Sequence, residues 1–195
     1  RITITNLNMN TQPKYGTAEA VAFLNGTAPD AIGRTIEDYL AFDMDKWEEC
    51  HNHVQWAFPN NEASMFNPNA PVVDMQDFAN QLTWEGRDNV LKLAHNYLAS
   101  LGIVADDSLS TTYHIDYKSD RLAIWLTHPR DHNLLRLTRL LHVWSYIDPD
   151  RAIGLLGTLA DVVKVANSRA SLSGKPEVIS ADTMVFWINA ALGRK

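Results

Sequence analysis

The 195-residue chain contains one cysteine, Cys50. A disulfide framework and a thiolate metal cluster are therefore excluded, and a reducing compartment suits the chain best. No run of about 18 apolar residues occurs, so no helix spans a membrane. The opening, RITITNLNMNTQPKYG, lacks the apolar core of a signal peptide and lacks an initiator Met, which suggests a trimmed or incompletely observed start. Basic residues are outnumbered, 17 Lys and Arg against 23 Asp and Glu, for a formal charge of −6. That balance argues against a nucleic acid as the main partner. Also missing are a GxSxG elbow, an HExxH zinc helix and a Gly-rich phosphate loop. Together these absences describe a soluble, cytoplasmic protein with no cofactor, no bound metal and no assignable catalytic residue.

What is present is an ordinary globular composition, 46% apolar and 21% charged. The chain is long enough to bury a full core as one domain. Residues 1–16 are polar and Asn-rich, with weak alternation at Ile2 and Ile4, and form an N-terminal arm or short edge strand. Residues 17–195 form a single mainly α domain with a long ordered loop and at most a minor β element. Thr17 caps a short helix to Leu24, and Thr35 caps one to about Phe42. A third starts at Asp43 or Asp45 and runs to Phe58, where Pro59 ends it. Asn60–Val72 is the long loop. Helices follow from Asp74 to Leu82 and from Thr83 to Leu101, the latter closed by Gly102. Thr111–Tyr117 alternates like a strand, and Asp120–Leu126 is a turn or two of helix. Asp131–Ile147 has apolar residues at helical spacing. Asp148-Pro149 opens a helix to about Asn167, and Ser180 caps the last, to Leu192.

The densest chemistry lies in WEECHNHVQWAFPNNEASMFNPNAP, Trp47 to Pro71. On a continuous helix, Trp47, Cys50, His51, Val54 and Phe58 share the face that meets the core. His51 is then either a buried, hydrogen-bonded imidazole or the wall of a ligand pocket. Gln55 joins the same network, and Trp56 points away with Glu49, Asn52 and His53, to cover the loop or a second surface. The tripeptide His51-Asn52-His53 is not the nuclease HNH, whose letters are widely spaced. Nor is it a zinc pair, because i and i+2 face different sides of a helix. His128 and His132 are separated by Pro129. Cys50 on a core stripe is an inert hydrophobe. Gly154 and Gly157 lie inside a helix, spaced for close helix packing.

The helix Asp131–Ile147 carries His132, Arg136 and Arg139 along one side, with Asn133 beside them. Two guanidiniums on one face grip a carboxylate or phosphate, or else pair internally with Asp45, Glu48 or Glu49. Arg34 is a third arginine whose convergence with these two would favour an anion site.

Four segments in order resemble the conserved domain of the opioid growth factor receptor family. They are Gly26, Pro29 and Asp30; His51, Val54, Gln55, Trp56, Phe58 and Pro59; Phe66, Asn67, Ala70 and Pro71; and His132, Asn133, Leu135, Arg136, Thr138, Arg139 and Leu141. The resemblance covers about residues 23–163 and is nearest to stand-alone microbial or viral members. Ala57 stands where the family pattern has a larger aliphatic residue. The resemblance implies a helical binding module for a short peptide, intracellular and with nuclear association.

Three functions are compatible with these residues. The first is a non-enzymatic module binding a protein or peptide partner, or an anionic ligand, through His51, Gln55, Trp56, Asn133, Arg136, Arg139 and Arg34. It expects these side chains to converge beside the Asn60–Val72 loop. The second is a structural or assembly subunit with an exposed apolar patch, the candidate being Met184–Ile188 with Phe186 and Trp187. The third is an enzyme on an anionic substrate with His51 as base. The oligomeric state is not legible.

Overall fold

The computed structural model describes residues 14–127 and 131–194. The Ile2/Ile4 strand and the His128–His132 pairing lie outside the described residues. The architecture is mainly α, with ten helices and one two-stranded sheet among the described residues.

Helix α1 (Thr17–Leu24) is capped by Gly16, not Thr17. Gly16 N–H donates to the Glu19 carboxylate at 2.8 Å. The Thr17 hydroxyl instead accepts from the Asp74 amide at 2.9 Å, tying this helix to the next layer. Helix α2 (Ile36–Leu40) has the expected Thr35 cap, reinforced by Asp38. Helix α5 (Met75–Gln81) starts at Asp74, and α6 (Trp84–Ser100) starts at Thr83. Gly102, at φ 76°, takes the left-handed turn that ends α6. Strands β1 (Ile103–Ala105) and β2 (Tyr113–Ile115) then pair antiparallel, with Ile103 opposite Ile115. They sit between α6 and the later helix α9 (Pro149–Leu172). Helix α7 is Arg121–Trp125; α8 is His132–Ile147, capped by Asp131; α9 is Pro149–Leu172, opened by Asp148 and Pro149 and longer than its sequence suggests. Helix α10 (Ala181–Ala191) is capped by Ser180.

Helix α8 is the axis of the domain and packs against α5, α9 and α10. Leu137, Leu140, Leu141, Val143 and Trp144 on it are buried. Helix α6 forms the second layer against α1, α2, α3 (Met44–Glu49) and α4 (Val54–Ala57), through buried Val90, Leu93, Ala94 and Tyr97.

One sequence expectation fails at the centre of interest. The single helix from Asp43 to Phe58 is two: α3 (Met44–Glu49) and α4 (Val54–Ala57). Cys50 leaves helical geometry at ψ 125°, so the stripe reckoned through it does not exist. The consequence is an inversion: His51 is exposed, whereas His53 and Trp56 are buried. Cys50 is half-buried at the end of α3 rather than in a core stripe. Of the helical glycines, Gly154 lies against the Thr111 carbonyl of the hairpin loop, not against a helix, and Gly157 faces open space.

Candidate functional site

The break between α3 and α4 exposes carbonyls that a continuous helix would have satisfied internally. Arg136, buried on α8, fills part of that need. Its Nη1 donates to Trp47 O at 2.8 Å and its Nη2 to Cys50 O at 3.2 Å. A longer contact at 3.4 Å reaches Asn133 Oδ1. Asn133 Oδ1 also accepts from the buried Tyr97 hydroxyl at 3.0 Å, and its Nδ2 donates to Glu48 at 3.2 Å. Burial pushes the Tyr97 phenol up, out of the range where it ionises. Glu48 lies 3.0 Å from His132 Nε2. Desolvation, aided by the Arg136 charge, lowers the His132 pKa, against the pull of Glu48 and Asp131. The exposed His51 ring meets His132 edge-on at 5.8 Å.

Arg34 belongs to a different cluster. Its Nε donates to Asp30 Oδ2 at 2.7 Å, and its Nη2 to the Tyr39 hydroxyl at 3.0 Å and to Asn52 O at 3.3 Å. Asp30 also accepts from the Ile32 and Arg34 amides and from the Tyr39 hydroxyl. Burial opposes its charge, but these donors outweigh it and hold the carboxyl below its ordinary value. A cavity of about 20 Å³ lies among Asp30, Arg34, Asn52, Trp56, Asn67 and Asn69. Trp56 is buried edge-on to Tyr15 (5.2 Å) and Phe23 (5.6 Å). Gln55, expected to join His51, contacts Ser64 of the long loop at 3.5 Å.

Arg139 is the third. Its Nε donates to Phe58 O at 3.2 Å, and its Nη2 is buried with no hydrogen-bond partner among the described residues. Desolvation lowers its pKa to about 10, with Glu62 pulling the other way. The internal ion pairs expected with Asp45, Glu48 or Glu49 are not formed by either arginine among the described residues. Arg136 and Arg139 from α8, and Arg34 from the turn before α2, thus each donate to main-chain carbonyls of the Trp47–Phe58 segment.

His53, expected on the outward face of the helix, is fully buried. It lies in an aromatic box, with ring centroids at 4.9 Å from Trp47, 5.3 Å from Phe42 and 6.1 Å from Tyr39. Neither ring nitrogen finds a hydrogen-bond partner among the described residues. Burial, then the nearby Arg136 and Arg34 charges, lower its pKa to about 3.

A groove of about 650 Å³ runs between α8 and α10. Leu134, Leu135 and Thr138 of α8 face Phe186 and Ala190 of α10 across it, and Asn60 to Glu62 form a side wall. Leu135 and Phe186 are 69% and 64% exposed. Asp131 lines the groove, as do His142 and Arg194. The signal for this feature was available: both exposed residues are large and apolar, and both sit off the buried stripe of their helix. Trp187, expected beside Phe186 in an exposed patch, is instead fully buried and donates from Nε1 to Leu134 O at 3.1 Å.

No helix among the described residues is long and apolar enough to cross a membrane, and no group of three His, Cys, Asp or Glu among them is arranged to hold a metal ion. Comparison with curated proteins and with solved structures finds no significant match. The family model for the opioid growth factor receptor conserved region matches residues 24–192, extending past Val163 through the whole of α10. The chain belongs to the opioid growth factor receptor conserved-region family.

Proposed function

We propose that this chain is a non-enzymatic binding module that takes a short apolar peptide segment in the groove between α8 and α10. The observation that carries the reading is the groove itself, with Leu134, Leu135, Phe186 and Ala190 between polar walls. Its volume of about 650 Å³ is that of a small-ligand site. Along α8, Asp131 to His142 spans roughly 16 Å at about 1.5 Å per residue. That is room for roughly five extended residues at about 3.3 Å each. Membership of a family named for a growth factor receptor agrees with a peptide ligand. An anion clamp formed by Arg34, Arg136 and Arg139 has less support, because Arg34 sits in a separate cluster on Asp30 and Arg136 donates to the Trp47 and Cys50 carbonyls.

Fluorescence anisotropy tests this with labelled tetra- to hexapeptides carrying Phe, Leu or Met, free and capped at their ends. Phe186→Asp and Leu135→Asp change exposed side chains, so the fold should survive, as a circular-dichroism melt would verify. Each should weaken binding at least tenfold. Binding that ignores both changes, or that is abolished by Arg139→Ala at unchanged stability, would move the site to the arginines. No binding by any peptide would overturn the reading.

A further inference from the structure

The groove between α8 and α10 carries opposite charge at its two ends. The helices run in the same direction, since Trp187 Nε1 reaches Leu134 O at 3.1 Å and Gly193 lies against the side chains of Ser145 and Tyr146. Asp131 and Thr183 therefore line one end, and His142 and Arg194 the other. Asp131 is 8% exposed. Its Oδ1 accepts from the Asn133 amide at 2.8 Å, which caps α8, and the carboxylate has no ion-pair partner among the described residues. A buried carboxylate with no counter-ion is unfavourable, and a cation bound in the groove would offset that penalty. The Arg194 guanidinium, exposed at the far end, has no ion-pair partner among the described residues either. Glu62 in the side wall has the buried Arg139 as a neighbouring cation, which leaves the two ends as the uncompensated charges.

We propose that these two residues read the ends of the peptide and so fix its direction: its free α-ammonium group pairs with Asp131, and its free α-carboxylate pairs with Arg194. This rests on the groove being the binding site. The two ends are roughly 16 Å apart, the rise of α8 from Asp131 to His142 at about 1.5 Å per residue. An extended peptide covers about 3.3–3.6 Å per residue, so about five residues bridge them. The apolar middle, Leu134, Leu135, Phe186 and Ala190, then takes the side chains. Both ion pairs form only when the ligand is a whole short peptide with neither end blocked. A stretch inside a longer chain has no terminal charges to offer, and its continuing backbone would run across a buried carboxylate at one end. The ligand class is therefore a finished short peptide, the product of a peptidase. Asp131 and Arg194 select for length and direction, while the apolar wall selects for side chains.

Isothermal titration calorimetry tests the proposal with unlabelled pentapeptides carrying Phe, Leu or Met, each in four forms: both ends free, N-acetylated, C-amidated, and blocked at both ends. Asp131→Asn removes the charge and keeps the cap, since asparagine caps a helix as well as aspartate does. Arg194→Gln changes an exposed side chain beyond the end of α10. On the wild type, acetylation should weaken binding about tenfold and amidation severalfold. On Asp131→Asn the free and acetylated forms should bind alike, with the effect of amidation unchanged. On Arg194→Gln the free and amidated forms should bind alike, with the effect of acetylation unchanged. Free and doubly blocked peptides binding the wild type equally would overturn the proposal and leave the groove reading standing. An acetylation effect that survives Asp131→Asn, or an amidation effect that survives Arg194→Gln, would do the same. No binding by any form overturns both.

Discussion

Lowering the pH from 7.5 to 5 should destabilise this protein chiefly through His53. The ring is wholly buried among Trp47, Phe42 and Tyr39, and its folded pKa falls to about 3. In the unfolded chain an imidazole titrates near about 6.5. The folded value is the lower one, so the unfolded state takes up the proton first. Stability is therefore complete above about pH 6.5 and declines as pH falls toward the folded pKa. At pH 5 the unfolded form is favoured by the ratio of the two protonation polynomials, roughly thirtyfold, or about 2 kcal/mol. A folded pKa a unit higher barely changes that figure. His95 and His132, also lowered by burial, act in the same direction. Carboxylates such as Asp30, held low by its donors, have little effect until below about pH 4, which makes pH 5 the discriminating condition.

Urea unfolding at pH 7.5 and 5.0 measures the difference, with His53→Phe as the control. Phenylalanine fits an aromatic box and carries no proton. Its pH dependence should be smaller than that of the wild type by about 2 kcal/mol. Equal pH dependence in the two proteins would refute the reasoning. An NMR titration of the folded protein in which the His53 ring protonates with a midpoint near pH 6.5 would do the same.

Three further predictions concern the arginines and the helical glycines. Arg136→Ala leaves the Trp47 and Cys50 carbonyls without a donor in a buried place and should cost about 3–5 kcal/mol in urea melts. Arg139→Met removes one bond, to Phe58 O, together with a buried Nη2 that has no partner among the described residues, so its stability should stay within about 1 kcal/mol of wild type in the same assay. Gly154→Ala drives a methyl into the Thr111 carbonyl and should destabilise by about 1–3 kcal/mol, whereas Gly157→Ala meets nothing and should stabilise by about 0.5–1 kcal/mol, both read from thermal melts.

Helix starts were legible because capping is local chemistry. Thr35, Asp43, Asp74, Thr83, Asp131, Asp148 and Ser180 each cap with their own side chain. The end of α3 was not legible, because nothing local ends it. No glycine or proline stands between Trp47 and Phe58. Arg136 and Arg34 instead take the Trp47, Cys50 and Asn52 carbonyls from positions 89, 86 and 18 residues away. Tertiary bonds overrode propensity there, and the inward and outward faces of the segment changed places with them. Thr17 failed as a cap for a related reason: its hydroxyl was claimed by an amide 57 residues away. The motif residues do not gather at a single place. Gln55 reaches the long loop, Trp56 borders it, and Arg139 lies near Glu62. His51 and Asn133 gather instead around Glu48 and His132.

The arginines have a common task that the helix ends explain. A helix leaves its last carbonyls unpaired and its C-terminal end partly negative, and a Lys or Arg in the last turn is the usual local remedy. Helices α4, α5, α6 and α8 carry no basic residue in the last turn. The cations arrive from elsewhere in the chain. Arg139 donates to the carbonyl of Phe58, the C-cap of α4, and Arg87 donates to Ala79 in α5 and to Ile147 at the end of α8. Arg136 serves the end of α3, and Arg151 holds the Leu109 and Ser110 carbonyls before β2. Each such bond joins two elements as well as satisfying one, which lets helices as short as α4 persist although far too short to be stable alone. It also explains how an acidic chain buries the Arg136 and Arg139 guanidiniums: their partners are carbonyl dipoles rather than interior carboxylates. A surface ligand that needs the Arg34 or Arg136 guanidinium would have to compete with the fold for it, which supports the groove proposed above over the arginines.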